Sequence, residues 1–284
     1  MMVKNCMQSD VVFVSVPGTR EDVLLLMAEQ QINGLPVVKK GTKTLVGIVT
    51  RTDLLRKFDE NQLAMLMVRD PITVSPRTDV MKAVNIMLEK NYRRLPVVSK
   101  GELVGLISIP DILGAVLEDN EKFKSMNISD LVTRQVITVW DQTPLPLSYM
   151  MMEMAGKNGI VVVDEVGSIA GVITVSDYIR LSEIRVEDNV STTFSGTDKG
   201  VEWGWTSKDF LVVTKRLLKL PNVPLEQKMT KNVISISEVS SVSDCVKTFR
   251  TEDIDQAPVL SAAGHLIGMI EDRDLLKLAA TVKE

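Results

Sequence analysis

The chain has little of what metal sites, redox centres and covalent catalysis require. Of its 284 residues two are cysteine, Cys6 and Cys245, and one is histidine, His265. Neither cysteine sits in a Cys-x-x-Cys pair or near the histidine, which excludes a disulfide framework and a structural zinc and fits a reducing compartment. A thiol nucleophile needs a base, and one histidine for two thiols is thin support. No run reaches the ~18 consecutive apolar residues of a membrane span. The apolar N-terminal run is broken by Ser15 and Pro17, unlike a signal peptide, so a cytoplasmic protein is expected. Charge of one sign is scarce too: 33 basic against 37 acidic residues, net −4, give no field to attract nucleic acid or an anionic membrane. The basic piece 215-KRLLK-219 does not reverse that balance. Aromatics are few, whereas methionines number fifteen, so flexible aliphatic side chains are expected to fill the core, the run 149-YMMMEM-154 among them.

What is abundant is apolar material, 45% of the chain, and it is arranged periodically. Four segments share one order of features: 33-NGLPVVKKGTKTLVGIVTRTDLL-55, 93-RRLPVVSKGELVGLISIPDIL-113, 158-NGIVVVDEVGSIAGVITVSDYI-179 and 255-DQAPVLSAAGHLIGMIEDRDLL-276. Each has an apolar triplet, a polar turn with Gly, a second apolar run opening on Gly, and an aspartate followed by two apolar residues. Leu35 to Val38 and Leu45 to Val49, joined by a polar turn, predict a hairpin. Beyond them Asp53, Leu54, Leu55 and Phe58 shift the period towards a helix. Upstream, the strand-like runs 11-VVFVSV-16, 72-ITVSP-76, 136-VITVW-140 and 233-VISIS-237 each lead into a helical stretch. In 78-TDVMKAVNIMLEKN-91 the residues Val80, Val84, Met87 and Leu88 form one apolar face. The unit is strand, helix, strand, strand, helix, and the fold class is mixed α/β.

Asp53, Asp111, Asp177 and Asp274 mark equivalent points of the four units, and the last interval is longer by roughly thirty to forty residues than the others. The resulting division is 1–58, 65–118, 126–183 and 225–283 for repeats 1 to 4, with an insertion at 184–224. Within the insertion 207-SKDFLVVTKRLLKL-220 reads as a helix, capped by Ser207 and stopped by Pro221. It serves either as an external packing element or, with Trp203 and Trp205 before it, as a partner-docking arm.

The four junctions between the second hairpin strand and the final helix read 47-GIVTRTD-53, 105-GLISIPD-111, 171-GVITVSD-177 and 268-GMIEDRD-274. Alone, the last suggests a metal or acid cluster; beside its siblings it is the variant that keeps Asp274 and has Glu271 in place of a hydroxyl. Ser or Thr followed three positions later by an acidic residue is a capping-box pattern, in which side chains satisfy free donors at a helix start. The same atoms also suit a ligand. A carboxylate offers two acceptors for the paired hydroxyls of a ribose, a hydroxyl donates to a phosphate, and the helix start favours an anion.

The recurring order of elements, the LPVV-type strand and the Gly-h-h-[Ser/Thr]-x-x-Asp junction resemble the cystathionine-β-synthase (CBS) domain, four times over, across nearly all of the chain outside the insertion. The resemblance implies tandem pairs; short spacing joins repeat 1 with 2, the insertion leaves 3 to pair with 4, and the two pairs are expected to close into a disc as in archaeal stand-alone four-repeat proteins. It implies clefts for an adenosine compound, AMP, ADP, ATP or S-adenosylmethionine, and no catalysis. Carried over residue by residue, the ligand-binding positions are Thr50 with Asp53, Ser108 with Asp111, Thr174 with Asp177, and Asp274. The adenine-clasping strands are Gly34, Leu35 and Pro36; Arg94, Leu95 and Pro96; and Gln256, Ala257 and Pro258. In repeat 3 the stretch 159-GIVVV-163 lacks the proline.

Arg51, Arg93, Arg94 and Arg180 lie near these clefts as cations for a phosphate. The partners expected are the small adenosine ligand, an effector protein and a second copy in a homodimer; nucleic acid and membrane are not. Two other readings compete: a hydrolase acting on a bound adenosyl ligand, for which the insertion lacks a nucleophile and base, and a docking platform whose junctions are capping boxes only.

Overall fold

The computed structural model describes residues 1–57, 59–191 and 211–281, with backbone only for the strands within 183–191 and 211–219. Repeat 1 comprises β1 (Val14–Val16), α1 (Arg20–Glu29), β2 (Gly34–Lys39), β3 (Leu45–Thr50) and α2 (Arg51–Arg56). Repeat 2 is preceded by α3 (Leu63–Leu66) and β4 (Val68–Arg69) and comprises α4 (Val80–Lys90), β5 (Arg94–Ser99), β6 (Glu102–Ser108) and α5 (Ile109–Asp119), followed by α6 (Glu121–Ser125). Repeat 3 comprises β7 (Thr138–Trp140), α7 (Leu145–Met154), β8 (Gly159–Val163), β9 (Ile169–Thr174) and α8 (Val175–Leu181). After β10 (Glu183–Ser191) and β11 (Leu211–Lys219), repeat 4 comprises β12 (Ile236–Ser237), α9 (Val242–Thr251), β13 (Gln256–Leu260), β14 (Leu266–Glu271) and α10 (Asp272–Thr281).

Local chemistry explains these units. The hairpins turn at Gly41, Gly101, Gly167 and Gly264, all with φ between 77° and 86°, a region costly for a side chain. The first helices start at side-chain caps, Thr19 for α1, Asp79 for α4 and Ser241 for α9. The apolar face expected of α4 is the face it buries, Val80, Ala83, Val84 and Met87. In repeats 1, 3 and 4 the opening strand pairs parallel with the first hairpin strand. In repeat 2 the run 72-ITVSP-76 forms a single bridge, Val74 to Val97.

The segment leading into each repeat packs on its neighbour. Leu63 and Met67 lie in the core of repeat 1, and β4 pairs antiparallel with β3. The N-terminal segment reciprocates on repeat 2, where Val3 joins the core and Gln8 bridges Leu106. Leu225 and Met229 do the same for repeat 3, and Ile128 for repeat 4, with bridges Val172 to Thr230 and Thr133 to Met269. These exchanges make pairs of repeats 1 with 2 and 3 with 4, the pairing expected from spacing.

They also explain the junction glycines. A Cβ on Gly47, Gly105 or Gly171 would stand 2.6, 2.7 or 2.6 Å from the sulfur of Met67, Met7 or Met229, and one on Gly268 would stand 2.3 Å from Val132 Cγ1. The two pairs then meet at two seams. One core runs without a break through repeats 2 and 4, including Val84, Ile107, Ile112, Val246, Ile270 and Leu275. Repeats 1 and 3 keep separate cores and meet through α2 and α8.

Two expectations are corrected. The helix read at 207–220 is, over Leu211–Lys219, the strand β11, paired antiparallel with β10 from Glu183↔Lys219 to Ser191↔Leu211; 207–210 lie outside the described residues, as do Trp203, Trp205 and Phe58. The β-branched run 212-VVT-214 suits a ladder, and nine successive pairs override the helical spacing. The run 149-YMMMEM-154 is not core: of its methionines Met152 is buried, whereas Met150, Met151 and Met154 are exposed. With Leu147, these exposed residues form an outward stripe on α7.

Gly268→Ala is expected to destabilise the chain by about 1–3 kcal/mol in chemical denaturation, through overpacking. Val132→Ala added to it should recover only part, because the Thr133 carbonyl oxygen also stands 2.7 Å from the new Cβ.

Candidate functional site

The four junctions have one construction. The first residue of each final helix donates its backbone N–H to the residue preceding the first hairpin strand: Arg51 to Asn33, Ile109 to Arg93, Val175 to Asn158 and Asp272 to Asp255, at 2.9–3.1 Å. This bond ties the helix start to the strand start and places the junction aspartate beside the strand proposed as the adenine clasp.

The hydroxyl and aspartate form capping boxes in repeats 1 to 3. Thr50 Oγ1 donates to Asp53 Oδ2 at 2.6 Å, Thr174 Oγ1 to Asp177 Oδ2 at 2.8 Å, and Ser108 Oγ to Asp111 Oδ2. The same oxygen accepts the backbone N–H of Thr50, Thr174 and Ser108 at 2.9, 2.9 and 2.8 Å. The hydroxyl proton is thus spent on the carboxylate, so donation to a phosphate would require the box to open. In repeat 4, with Glu271 in the hydroxyl position, Asp274 Oδ2 accepts, among the described residues, only the backbone N–H of Glu271, at 3.1 Å.

The second carboxylate oxygen differs from site to site. Asp111 Oδ1 accepts from Gln8 Nε2 at 3.0 Å. Asp177 Oδ1 pairs with Arg180 Nη2 at 2.8 Å and Asp274 Oδ1 with Lys277 Nζ at 2.9 Å. Asp53 Oδ1 has no hydrogen bond or ion pair among the described residues, which leaves it the freest acceptor of the four.

The proposed clasps come together across each pair. Arg94 Nη1 donates to the Gly34 carbonyl at 3.0 Å, and Gln256 Nε2 lies 2.8 Å from where a Gly159 Cβ would be. Gly34, Leu35, Pro36, Leu95, Pro96, Ala257 and Pro258 are buried, while Arg94 and Gln256 remain half-buried. The clasp strands are thus packed inward, and the part-buried polar atoms lie at the junctions.

Of the four arginines, Arg51, Arg93 and Arg94 are part-buried, and Arg180 is exposed. Arg93 Nη1 pairs with Asp255 at 2.9 Å and its Nη2 with Asp272. Arg94 is buried enough that desolvation pulls its pKa down, helped by the neighbouring Arg93. At the other seam, burial pulls the pKa of Arg51 down; Asp177 opposes this and Arg180 adds to it, and Arg51 makes no ion pair among the described residues. Asp272 is the residue a reading of the motif passes over, since it fills a variable position. Its side chain is 2% exposed, and burial pushes its pKa up to about 7 despite the opposing field of Arg93. The available signal was complementarity: Asp272 and Asp255 stand where repeat 1 has Arg51 and Asn33, opposite an arginine at the corresponding point of repeat 2. Among the described residues no cluster of three or more metal-ligating side chains occurs, and no helix is long and apolar enough to cross a membrane.

The family model of the CBS domain matches residues 3–60, 63–118, 128–183 and 225–281. An uncharacterized protein of Methanocaldococcus jannaschii, MJ1225, is 26% identical over 98% of this chain and 99% of its own. Its crystal structure superposes with a TM-score of 0.75, 24% identity and the same coverage of 98% and 99%. An uncharacterized conserved protein from Pyrococcus horikoshii gives a TM-score of 0.64 at 26% identity, covering 98% of this chain and 100% of that one. CBSX2 in complex with AMP, 29% identical, covers 42% of this chain and 97% of its own with a TM-score of 0.40.

Because the boxes cap helices whatever else they do, Ser108→Ala is expected to cost about 1 kcal/mol in denaturant unfolding. Glu271→Thr, which supplies the missing hydroxyl, should raise stability by about 0.5–1 kcal/mol.

Proposed function

We propose, on the premise that this chain belongs to the CBS domain family through four repeats, that it is a non-catalytic sensor of an adenosine-containing ligand. The ligand enters a junction cleft and biases the arrangement of the two pairs, which an effector protein reads. The observation that carries this is the division of labour within each junction aspartate. Oδ2 completes the helix cap, and Oδ1 is left over, without a partner among the described residues at Asp53 and held by a side chain elsewhere. A ribose diol can replace such a partner, or take the vacant acceptor at Asp53, without uncapping the helix.

The first cleft best suits a phosphate, AMP, ADP or ATP. Asp53 supplies the free acceptor, and Arg51 sits two residues before it without an ion-pair partner among the described residues. The fourth is the least suited: Glu271, Asp272 and Asp274 crowd negative charge there and favour a neutral or cationic adenosyl group such as S-adenosylmethionine. A ligand shifts the pairs only by binding one arrangement better than another, and the seams supply the arrangements.

Mass spectrometry of small molecules released from the purified chain, followed by calorimetry with AMP, ADP, ATP and S-adenosylmethionine, tests the proposal. We expect a bound adenosyl compound whose thermal shift disappears in Asp53→Asn. Arg51→Ala should weaken the phosphate-bearing ligands about tenfold or more, in keeping with a lost charge-assisted hydrogen bond. Absence of heat or thermal shift with all four ligands would sink the reading.

A further inference from the structure

The two seams between the pairs occupy equivalent places in the repeat and carry opposite chemistry. At the seam of repeats 1 and 3, Arg51 faces Asp177 and Arg180, with uncharged Asn33 and Asn158 at the strand starts. At the seam of repeats 2 and 4, Arg93 stands at the strand start of repeat 2. It is gripped by two carboxylates of repeat 4, Asp255 at the rim, 42% exposed, and Asp272 inside, 2% exposed. Asp272 Oδ1 is buried and has no hydrogen-bond partner among the described residues. This contact joins the Ser108–Asp111 junction to the Glu271–Asp274 junction, because Arg93 accepts from the N–H of Ile109 and Asp255 from that of Asp272.

We propose that Arg93, Asp255 and Asp272 form a proton-sensitive latch between repeats 2 and 4, which an anionic group of a ligand opens by drawing Arg93 away. The opening half rests on the adenosine-ligand reading above; the latch itself does not. A buried carboxylate with one oxygen unpaired is tolerable as an anion only while its cation stays. When Arg93 turns to a phosphate, Asp272 takes a proton from solvent onto its carboxylate, and the seam loses the charge link that Arg93 makes between the two junctions. The surroundings favour that uptake. Burial, Asp255 and Glu271 raise the affinity of Asp272 for a proton, while Arg93 and the adjacent Arg273 lower it. Arg94, packed beside Arg93, feels Asp255, Asp111 and Asp272 and is itself desolvated.

The sign of the pH dependence follows from Asp272 moving from 3.8 to about 7 on folding. Stability gained from its protonated form is complete below the lower value and is lost as pH rises through the higher one. Asp272→Asn, neutral at every pH, lacks that loss.

Thermal denaturation of the full chain without ligand, from about pH 4 to about pH 8.5, tests the latch. We expect wild type to melt nearest to Asp272→Asn at the acid end, to fall behind it as pH rises towards about 7, and to lie about 3 °C or more below it from there upward. Asp255→Asn, at the exposed rim and thus safer for folding, should move the midpoint of the wild-type decline to lower pH. Parallel wild-type and Asp272→Asn profiles would overturn the latch. For the opening, calorimetry with ATP near pH 8 in two buffers of different ionisation enthalpy should show uptake of about one proton by wild type and none by Asp272→Asn. ATP binding without proton uptake overturns the opening. Failure of ATP to bind overturns the opening together with the phosphate-ligand reading, while the ligand-free profile still decides the latch.

Discussion

The close approach of one segment to another repeat's glycine is the constraint on which the architecture depends. Each second hairpin strand has a glycine where the lead-in of the neighbouring repeat crosses, and Met67, Met7, Met229 and Val132 fill the space a Cβ would need. The lead-in brings backbone bridges with it, so the sheet of one repeat is completed by chain that belongs, in sequence, to the other. A single repeat cannot finish its own sheet edge or core; two can, by exchange. From this follow the pairing 1 with 2 and 3 with 4, and the tolerance of a long insertion between repeats 3 and 4, since the returning chain at Leu225 is anchored in the core of repeat 3.

The repeat, its order of elements and its junction were legible because each rests on short-range rules: glycine at a left-handed turn, alternation in a strand, a hydroxyl and carboxylate three apart. The lead-ins were not read, although Val3 with Met7, Leu63 with Met67, Ile128 with Val132 and Leu225 with Met229 repeat one spacing. Two apolar residues in a polar segment become informative only once their partner glycines are known to lie far away in sequence. The strand β11 was missed for a related reason. The stretch 211-LVVTKRLLK-219 satisfies a helical spacing locally, and what decides it is its partner β10 at the other end of the insertion. Composition alone does not tell which face of α7 looks outward, and Met150, Met151 and Met154 lie on that face.

At the site, the motif residues stand where the aligned junctions place them, but the capping and ligand-binding readings of them are not alternatives. In repeats 1 to 3 the capping box is built, and it uses the hydroxyl and one carboxylate oxygen in full. That leaves the other oxygen as the element free to vary, and it does vary, through Gln8, Arg180, Lys277 or, at Asp53, no partner among the described residues. Repeats that share a fold therefore need not share a ligand affinity.

The same reasoning applies at the seams. Strand starts and helix starts are held by one identical backbone bond in all four repeats, so side chains at those two positions are carried to the seam whatever they are. Repeat 1 presents Asn33 and Arg51, repeat 4 presents Asp255 and Asp272, and the backbone is indifferent to the exchange. A charge at these positions costs the repeat's own cap nothing, because Asp53, Asp111, Asp177 and Asp274 hold it. The cost falls instead on the pair–pair interface, where Asp272 is desolvated and must keep Arg93 or gain a proton. Sequence change there can therefore alter how the two pairs communicate without altering how either one folds.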